Sequence, residues 1–199
     1  ACIVTSVERA RDLAQRPARI LGAGQTHATE IIHPNGRDPE RLSGSRAADQ
    51  IWAMAGVGPG DVDCAQLYDA FTPRVMHELV AYGFCRPGEA GAFVEAGGAA
   101  ARGGAPPDTP RRPPGGGAPF AEAGRATSGG VLPCNTAGGL ISEGHLSGFG
   151  HLREAVRQVR GTAGERQVPD CELCLVTGYG GAPHEAPPTV SYSGLLLAR

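Results

Sequence analysis

Three short stretches set a reactive side chain among glycines or small residues: Tyr68-Asp69-Ala70-Phe71, Glu143-Gly144-His145 and Gly178-Tyr179-Gly180-Gly181. Glycine beside such a side chain lets backbone approach a ligand closely. Two phenols and an imidazole can exchange protons with a substrate. Asn135, Gly138 and Gly139 add a polar side chain and backbone amides near His145, and the helix expected just afterwards aims its positive end at the same corner. Such a corner suits a developing oxyanion. Each residue also has a plain structural reading: Tyr68 as a buried tyrosine with a satisfied hydroxyl, Tyr179 as a turn aromatic, His145 as a helix cap.

Other reactive residues lack comparable settings. His27, His33 and His184 read as surface or packing residues, as do His77 and His151 inside expected helices. Cysteines at 2, 64, 85, 134, 171 and 174 form no secreted disulfide framework, so reduced, mostly buried thiols are expected. Cys171 and Cys174, placed on a strand, would point to opposite faces and could not share a zinc ion. No metal is expected in this chain. There is no G-x-S-x-G elbow, P-loop or H-E-x-x-H. Gly22-Ala-Gly24 opens like a dinucleotide fingerprint, but Gln-Thr-His-Ala follows without a third glycine.

The chain that must position these residues has 199 of them, 41% apolar and 19% charged, with 31 glycines and 17 prolines. This composition fits one globular domain with a disordered stretch. Its 18 basic residues, all arginine, against 20 acidic ones and a net charge of −2 leave no footprint for nucleic acid. No apolar run approaches the ~20 residues of a membrane span, and no signal segment opens the chain, so a soluble, cytoplasmic protein is expected.

The pattern predicts an apolar strand over residues 1–6, a helix over 7–15, a short strand at 20–24 and a loop over 30–42. A helix over 43–56 keeps Ala47, Ile51, Met54 and Ala55 on one face. A strand over 62–70 runs into a loop, and Thr72-Pro73 opens a helix whose buried stripe is Val75, Met76, Leu79 and Val80. Residues 96–130 collapse into Gly, Pro, Ala and Arg and read as a mobile surface insertion, the alternative being a lid over a site. A helix over 147–160 turns Phe149, Leu152, Val156 and Val159 inward. A strand at 172–177, a tight turn at 178–181 and a strand at 189–197 complete an α/β pattern.

Taken in order, these motifs resemble the C-terminal half of the thiolase superfamily. Ala1-Cys-Ile-Val-Thr-Ser matches the end of a first half, and Ala55-Gly56-Val57 precedes Asp61-Val-Asp. Tyr68-Asp-Ala-Phe stands where thiolases carry Asn-Glu-Ala-Phe. Asn135-Thr-Ala-Gly-Gly through Gly144-His145 matches a glycine-rich run ending Gly-His-Pro, and Gly178-Tyr-Gly-Gly lies near Cys-x-Gly-x-Gly. Tyr68-Asp-Ala-Phe-Thr, Gly83-Phe84-Cys85 with Gly88-Glu89, and Gly161 with Arg166-Gln167-Val168 look most like the lipid-transfer-protein, or sterol-carrier-protein, branch. The resemblance implies an α/β thiolase-like C-terminal domain, a mixed sheet with helices on both faces. Residues 1–20 would end the first half and 21–199 form the second, carrying the 96–130 insertion.

Several family residues are replaced. The nucleophilic cysteine belongs to a first half this chain lacks, the second cysteine aligns with Val176, the water-binding Asn becomes Tyr68, and Leu146 replaces the proline after His145. What survives is the part that stabilises a thioester enolate, an intermediate common to Claisen condensation and retro-aldol cleavage. Retro-aldol cleavage of a β-hydroxyacyl-CoA needs no acyl-enzyme, only a base for the β-hydroxyl and an acid for the enolate. The resemblance therefore implies steroid side-chain type cleavage of an acyl-CoA, with Tyr68 and Tyr179 moving protons and His145 as oxyanion donor. A phenol with pKa ~10 would then need a buried electropositive environment. Coenzyme A enters as a substrate thioester rather than a bound cofactor. The branch further implies self-association, as a homo-oligomer such as a dimer, and a small partner carrying an OB-fold and a zinc ribbon. Two rivals stand beside this reading: an acetyl-CoA acyltransferase half, and a non-catalytic subunit binding lipid or a partner, favoured by a length about half the thiolase pattern.

Overall fold

The computed structural model describes residues 2–28, 44–95, 99–100, 132–182 and 189–199. The expected loop at 30–42, most of the expected insertion at 96–130, His33 and His184 lie outside the described residues.

No strand forms over residues 2–6. Residues 2–6 are exposed and have no strand beside them, and only one turn of helix, α1 (Val7–Ala10), follows, capped by the Ser6 hydroxyl. The first strand is β1 (Arg19–Ala28), longer than expected because β6 (Thr189–Ala198) supplies an antiparallel partner along its length. β5 (Leu173–Ala182) pairs antiparallel with the other edge of β6, and β2 (Cys64–Gln66) pairs parallel with β5. The order β1-β6-β5-β2 is thus a mixed sheet. Beside β2, Cys134 bridges to Ala65 in the parallel sense, next to the short parallel pair β3 (Ala99–Ala100) and β4 (Leu132–Pro133).

The period-two alternation of the strands sends successive side chains to two cores. Leu175 and Leu196 meet Ile51, Leu67, Leu79 and Phe84 on one face. Cys174, Val176 and Leu197 meet Cys64, Ala155 and Val159 on the other. The first face is covered by α2 (Ser45–Ala55) and α3 (Thr72–Ala81), beyond which lies α4 (Ala90–Glu95). The second is covered by α6 (Phe149–Arg160), which follows a short helix, α5 (Gly139–Glu143), absent from the sequence expectation. Helices on both faces of a mixed α/β sheet are as the resemblance implied.

Several local expectations are corrected. The glycines at 178–181 make no turn; they continue β5, because Val190–Ser193 offers a ladder partner to every residue from Gly178 to Gly181. Met54 and Phe149, expected inside, are 64% and 59% exposed, and Met76 is 38% exposed. Helix α6 begins at Phe149 rather than 147, after Ser147 and Gly148 turn the chain at positive φ. Cys171 precedes β5 and packs in the same core as Cys174 and Cys64, so strand alternation does not separate the two sulfurs. Burial pushes the Cys174 thiol up and the Cys134 thiol to about 12, which keeps both protonated. Among the described residues no three His, Cys, Asp or Glu side chains form a group that could hold a metal ion.

The Gly22-Ala-Gly24 stretch serves packing. A Cβ at Gly24 would lie 2.0 Å from the Ala47 carbonyl oxygen, and one at Gly22 would lie 2.6 Å from that of Ile51, so both glycines let α2 rest directly on β1. Gly24→Ala is accordingly expected to destabilise by about 2–3 kcal/mol and lower Tm by on the order of 5–10 °C. Gly91→Ala, in open space within α4, should raise stability by up to about 1 kcal/mol. Thermal melts of both variants check the contrast.

Candidate active site

Beyond the carboxyl end of β2 the chain is held by side chains acting as strand neighbours. The Asn135 Oδ1 accepts the Leu67 amide at 2.7 Å, and its Nδ2 donates to the Leu67 carbonyl at 3.0 Å. The Tyr68 amide donates to the Thr177 hydroxyl at 2.9 Å. Tyr68 is thereby fixed at the end of the sheet, its ring buried and its hydroxyl 2.8 Å from His145 Nε2. Positive φ at Gly144, Ser147 and Gly148 turns the His145 loop back towards Tyr68. Tyr179, on β5, places its ring centroid 6.1 Å from that of Tyr68. The three residues singled out from sequence are therefore one cluster, although Tyr179 reaches it from a strand.

The cluster contains two side chains that sequence did not suggest. His151, expected to be a packing residue, lies buried on α6, with its ring 6.2 Å from Tyr68 and its Nε2 3.1 Å from Asp69 Oδ1. Asp69 also accepts the Leu140 amide at 3.0 Å. Burial pushes the Asp69 carboxyl up, but His151 and the Leu140 amide outweigh it and hold the group below the ordinary carboxylate range. A Cβ at Gly139 would lie 1.8 Å from Asp69 Oδ2, so only glycine lets this carboxylate lie against the turn. The second addition is Arg74, whose guanidinium carbon lies 4.3 Å from the centroid of the Tyr179 ring and 4.5 Å from that of Tyr192. Neither residue had a local signal: each acquires its setting from strands and helices distant in sequence.

Two chemical expectations change. The Asn135 side chain and the Leu140 amide are engaged by Leu67 and Asp69, so they do not form the open oxyanion corner expected around Asn135, Gly138 and Gly139. The phenols, moreover, are not in a site that eases ionisation. Burial and then the Asp69 charge raise Tyr68, while burial, Tyr192 and Tyr68 raise Tyr179 against the downward pull of Arg74. Both phenols are protonated at neutral pH, which suits donation and relay rather than standing phenolate.

Beside the His145 loop, a cleft of about 520 Å³ opens between α6 and the sheet. Ser147, Gly148, Phe149, Val176 and Gly178 form part of its wall. Phe71, Ile141, Leu146 and Phe149 are exposed. His27, in contrast, sits on β1 with its Nδ1 2.8 Å from the Ser191 hydroxyl, a cross-strand contact between β1 and β6.

Residues 24–110 and 108–190 match the family described as thiolase C-terminal domain-like. The chain belongs to that family. Over 201 residues this thiolase-like domain is 34% identical to the steroid side-chain-cleaving aldolase of Thermomonospora curvata, covering 99% of the chain and 42% of the relative. It is equally 34% identical to the 17-hydroxy-3-oxo-4-pregnene-20-carboxyl-CoA lyase of Mycobacterium tuberculosis, covering 99% of the chain and 43% of the relative. Among solved structures, the Ltp2-ChsH2(DUF35) aldolase superposes with a TM-score of 0.66 at 32% identity, covering 96% of this chain and 42% of that one. The domain thus spans about two fifths of the length of these relatives. No described helix is long and apolar enough to cross a membrane.

The depressed carboxylates set an acid limit on stability. Glu154, on α6, is likewise held below the ordinary range: burial raises it, but hydrogen bonds from Arg166, Thr136 and Gln158 prevail. For such groups the stabilisation is complete above the unfolded pKa, near 4, and is lost as pH falls through the lowered folded value. Asp69→Asn is expected to cost about 1–2 kcal/mol at pH 7, with the difference from wild type shrinking below about pH 4. Urea unfolding at pH 7 and pH 3.5 measures both.

Proposed function

We propose that this domain supplies the proton-transfer groups of an aldolase that cleaves a β-hydroxyacyl-CoA between Cα and Cβ, with a steroid side chain as the acyl class. The observation that carries the reading is the Tyr68–His145 hydrogen bond of 2.8 Å beside Tyr179. Val176 standing at the position of the family's second cysteine supports it further, since no thiol is there to move a proton.

In this reading the Tyr68 oxygen takes the β-hydroxyl proton while its own proton passes to His145 Nε2. The Cα–Cβ pair collapses onto the thioester as an enolate, and the carbonyl product departs. With Nε2 engaged by Tyr68, Nδ1 is the ring nitrogen left for the thioester oxygen. Its N–H becomes a stronger donor as the ring gains the proton, so proton removal and oxyanion stabilisation rise together. Tyr179 then protonates Cα, and the proton held on His145 returns through Tyr68 to the Tyr179 phenolate. The site ends as it began.

Similarity to an aldolase whose name joins it to ChsH2(DUF35) supports a partner subunit of the OB-fold and zinc-ribbon kind. Homo-oligomer formation is proposed on family resemblance alone. The acyltransferase reading is disfavoured by Val176.

The test incubates the chain, alone and with such a partner, with a β-hydroxyacyl-CoA and assays carbonyl product and shortened acyl-CoA. Tyr68→Phe and Tyr179→Phe should each lose at least about tenfold in kcat/KM, the lower end of what a positioned acid or base contributes being ~100-fold. Losses below about tenfold in both would overturn the assignment. Acyl exchange with free CoA in place of cleavage would restore the acyltransferase, and silence in both assays would favour a non-catalytic subunit.

A further inference from the structure

Arg74 and Glu78 are one helical turn apart on α3 and are 8% and 1% exposed. Arg74 Nε and Nη2 donate to the same Glu78 oxygen at 2.9 and 2.8 Å. A buried ion pair is a poor source of net stability, since desolvation of both charges offsets their attraction. Its placement gives it another use. The guanidinium lies against the faces of both Tyr179 and Tyr192, and its Nη1 is 3.4 Å from the Tyr192 hydroxyl. Tyr179 and Tyr192 are register partners across the β5–β6 ladder, their rings 5.4 Å apart at 68°. One planar cation therefore contacts two rings set nearly at right angles, an arrangement that an ammonium cannot reproduce.

We propose that Arg74 is the positioning residue of Tyr179: it fixes the plane of the phenol and stabilises the phenolate that remains when Tyr179 gives up its proton. The role deepens the aldolase reading and rests on it for its catalytic consequence. The groups facing Tyr179 are Arg74 from α3, Tyr192 from β6 and Tyr68 from the end of β2, with Glu78 behind Arg74. Of these only Arg74 is positive, its guanidinium carbon 4.3 Å from the Tyr179 ring centroid.

The test places 3,5-difluorotyrosine, whose phenol ionises near neutrality, at position 179 of the full chain and follows it by 19F NMR. In wild type the clamped ring should give two distinct fluorine signals. In Arg74→Lys, which keeps the charge but not the planar stack, they should merge into one averaged line, with cleavage by the unlabelled variant down at least about tenfold. In the charge-neutral pair Arg74→Gln with Glu78→Gln, ionisation should move up by about one pH unit or more. A single averaged line in wild type, two undisturbed lines in Arg74→Lys, or an unmoved titration in the folded double variant would each overturn the proposal. Fluorine spectra that respond as expected in a protein that cleaves no thioester would refute the aldolase reading and leave Arg74's hold on Tyr179 standing.

Discussion

The antiparallel ladder between β5 and β6 runs unbroken from Leu173 opposite Ala198 to Ala182 opposite Thr189, and the site is assembled on its register. Alternation along β5 puts Leu175, Thr177 and Tyr179 on the α3 face and Cys174, Val176 and Gly178 on the α6 face. The corresponding residues of β6 are Tyr192 on the first face and Ser193 and Leu195 on the second. A slip of one residue would send Tyr179 into the cleft beside α6 and leave Arg74 with one ring instead of two. The ladder thus fixes a hydrogen-bond register and, with it, the pairing of a phenol with its cation.

Tyr68 is tied in from a different direction. Its backbone rests on Thr177 of β5 and, through Leu67, on Asn135, while its ring stacks on His151 and its hydroxyl meets His145. The adjoining Asp69 engages α6 through His151 and α5 through the Leu140 amide. The glycine-rich turn is further pinned by Thr136, whose hydroxyl donates to Glu154 and accepts from Gln66 and Gln158. Loops that look loose by composition are therefore constrained by buried polar contacts, each of which would be costly to leave unpaired. This is how exposed His145 is held within hydrogen-bond distance of a buried phenol.

Much of this is legible in the sequence. Tyr68 stood out beside small residues and His145 and Tyr179 beside glycines, and for His145 that signal is physical: the chain turns at positive φ at Gly144 and Gly148 to bring His145 to Tyr68. The alternation of strands and helices likewise led to the α/β class. What failed was local reasoning about residues whose setting is made by distant partners. Gly178-Tyr-Gly-Gly has turn composition, yet the ladder with β6 overrides propensity. Met54 and Phe149 fit an inward helical stripe, yet both remain exposed, Phe149 on the wall of the cleft. Arg74 and His151 sit in unremarkable sequence, and only tertiary contact reveals that they lie against the two phenols.

The replacement of the family cysteine acquires a geometric meaning from the same sheet. Val176 faces the core beneath α6, whereas Tyr179, three residues on, faces α3. In the proposed reading, an acid at Tyr179 rather than at 176 is shifted by an odd number of residues to the opposite face of the sheet, away from the apolar packing of Ala155 and Val159 and onto Arg74. A thiol at 176 would have to ionise among buried apolar side chains, which raises a thiol pKa. A phenol at 179 instead needs to lose its proton only transiently, next to a guanidinium. Raised phenol pKa values are therefore consistent with the proposed cycle: the resting site stores both protons, His145 takes up the first as a positive charge, and Arg74 then faces the negative charge left on Tyr179.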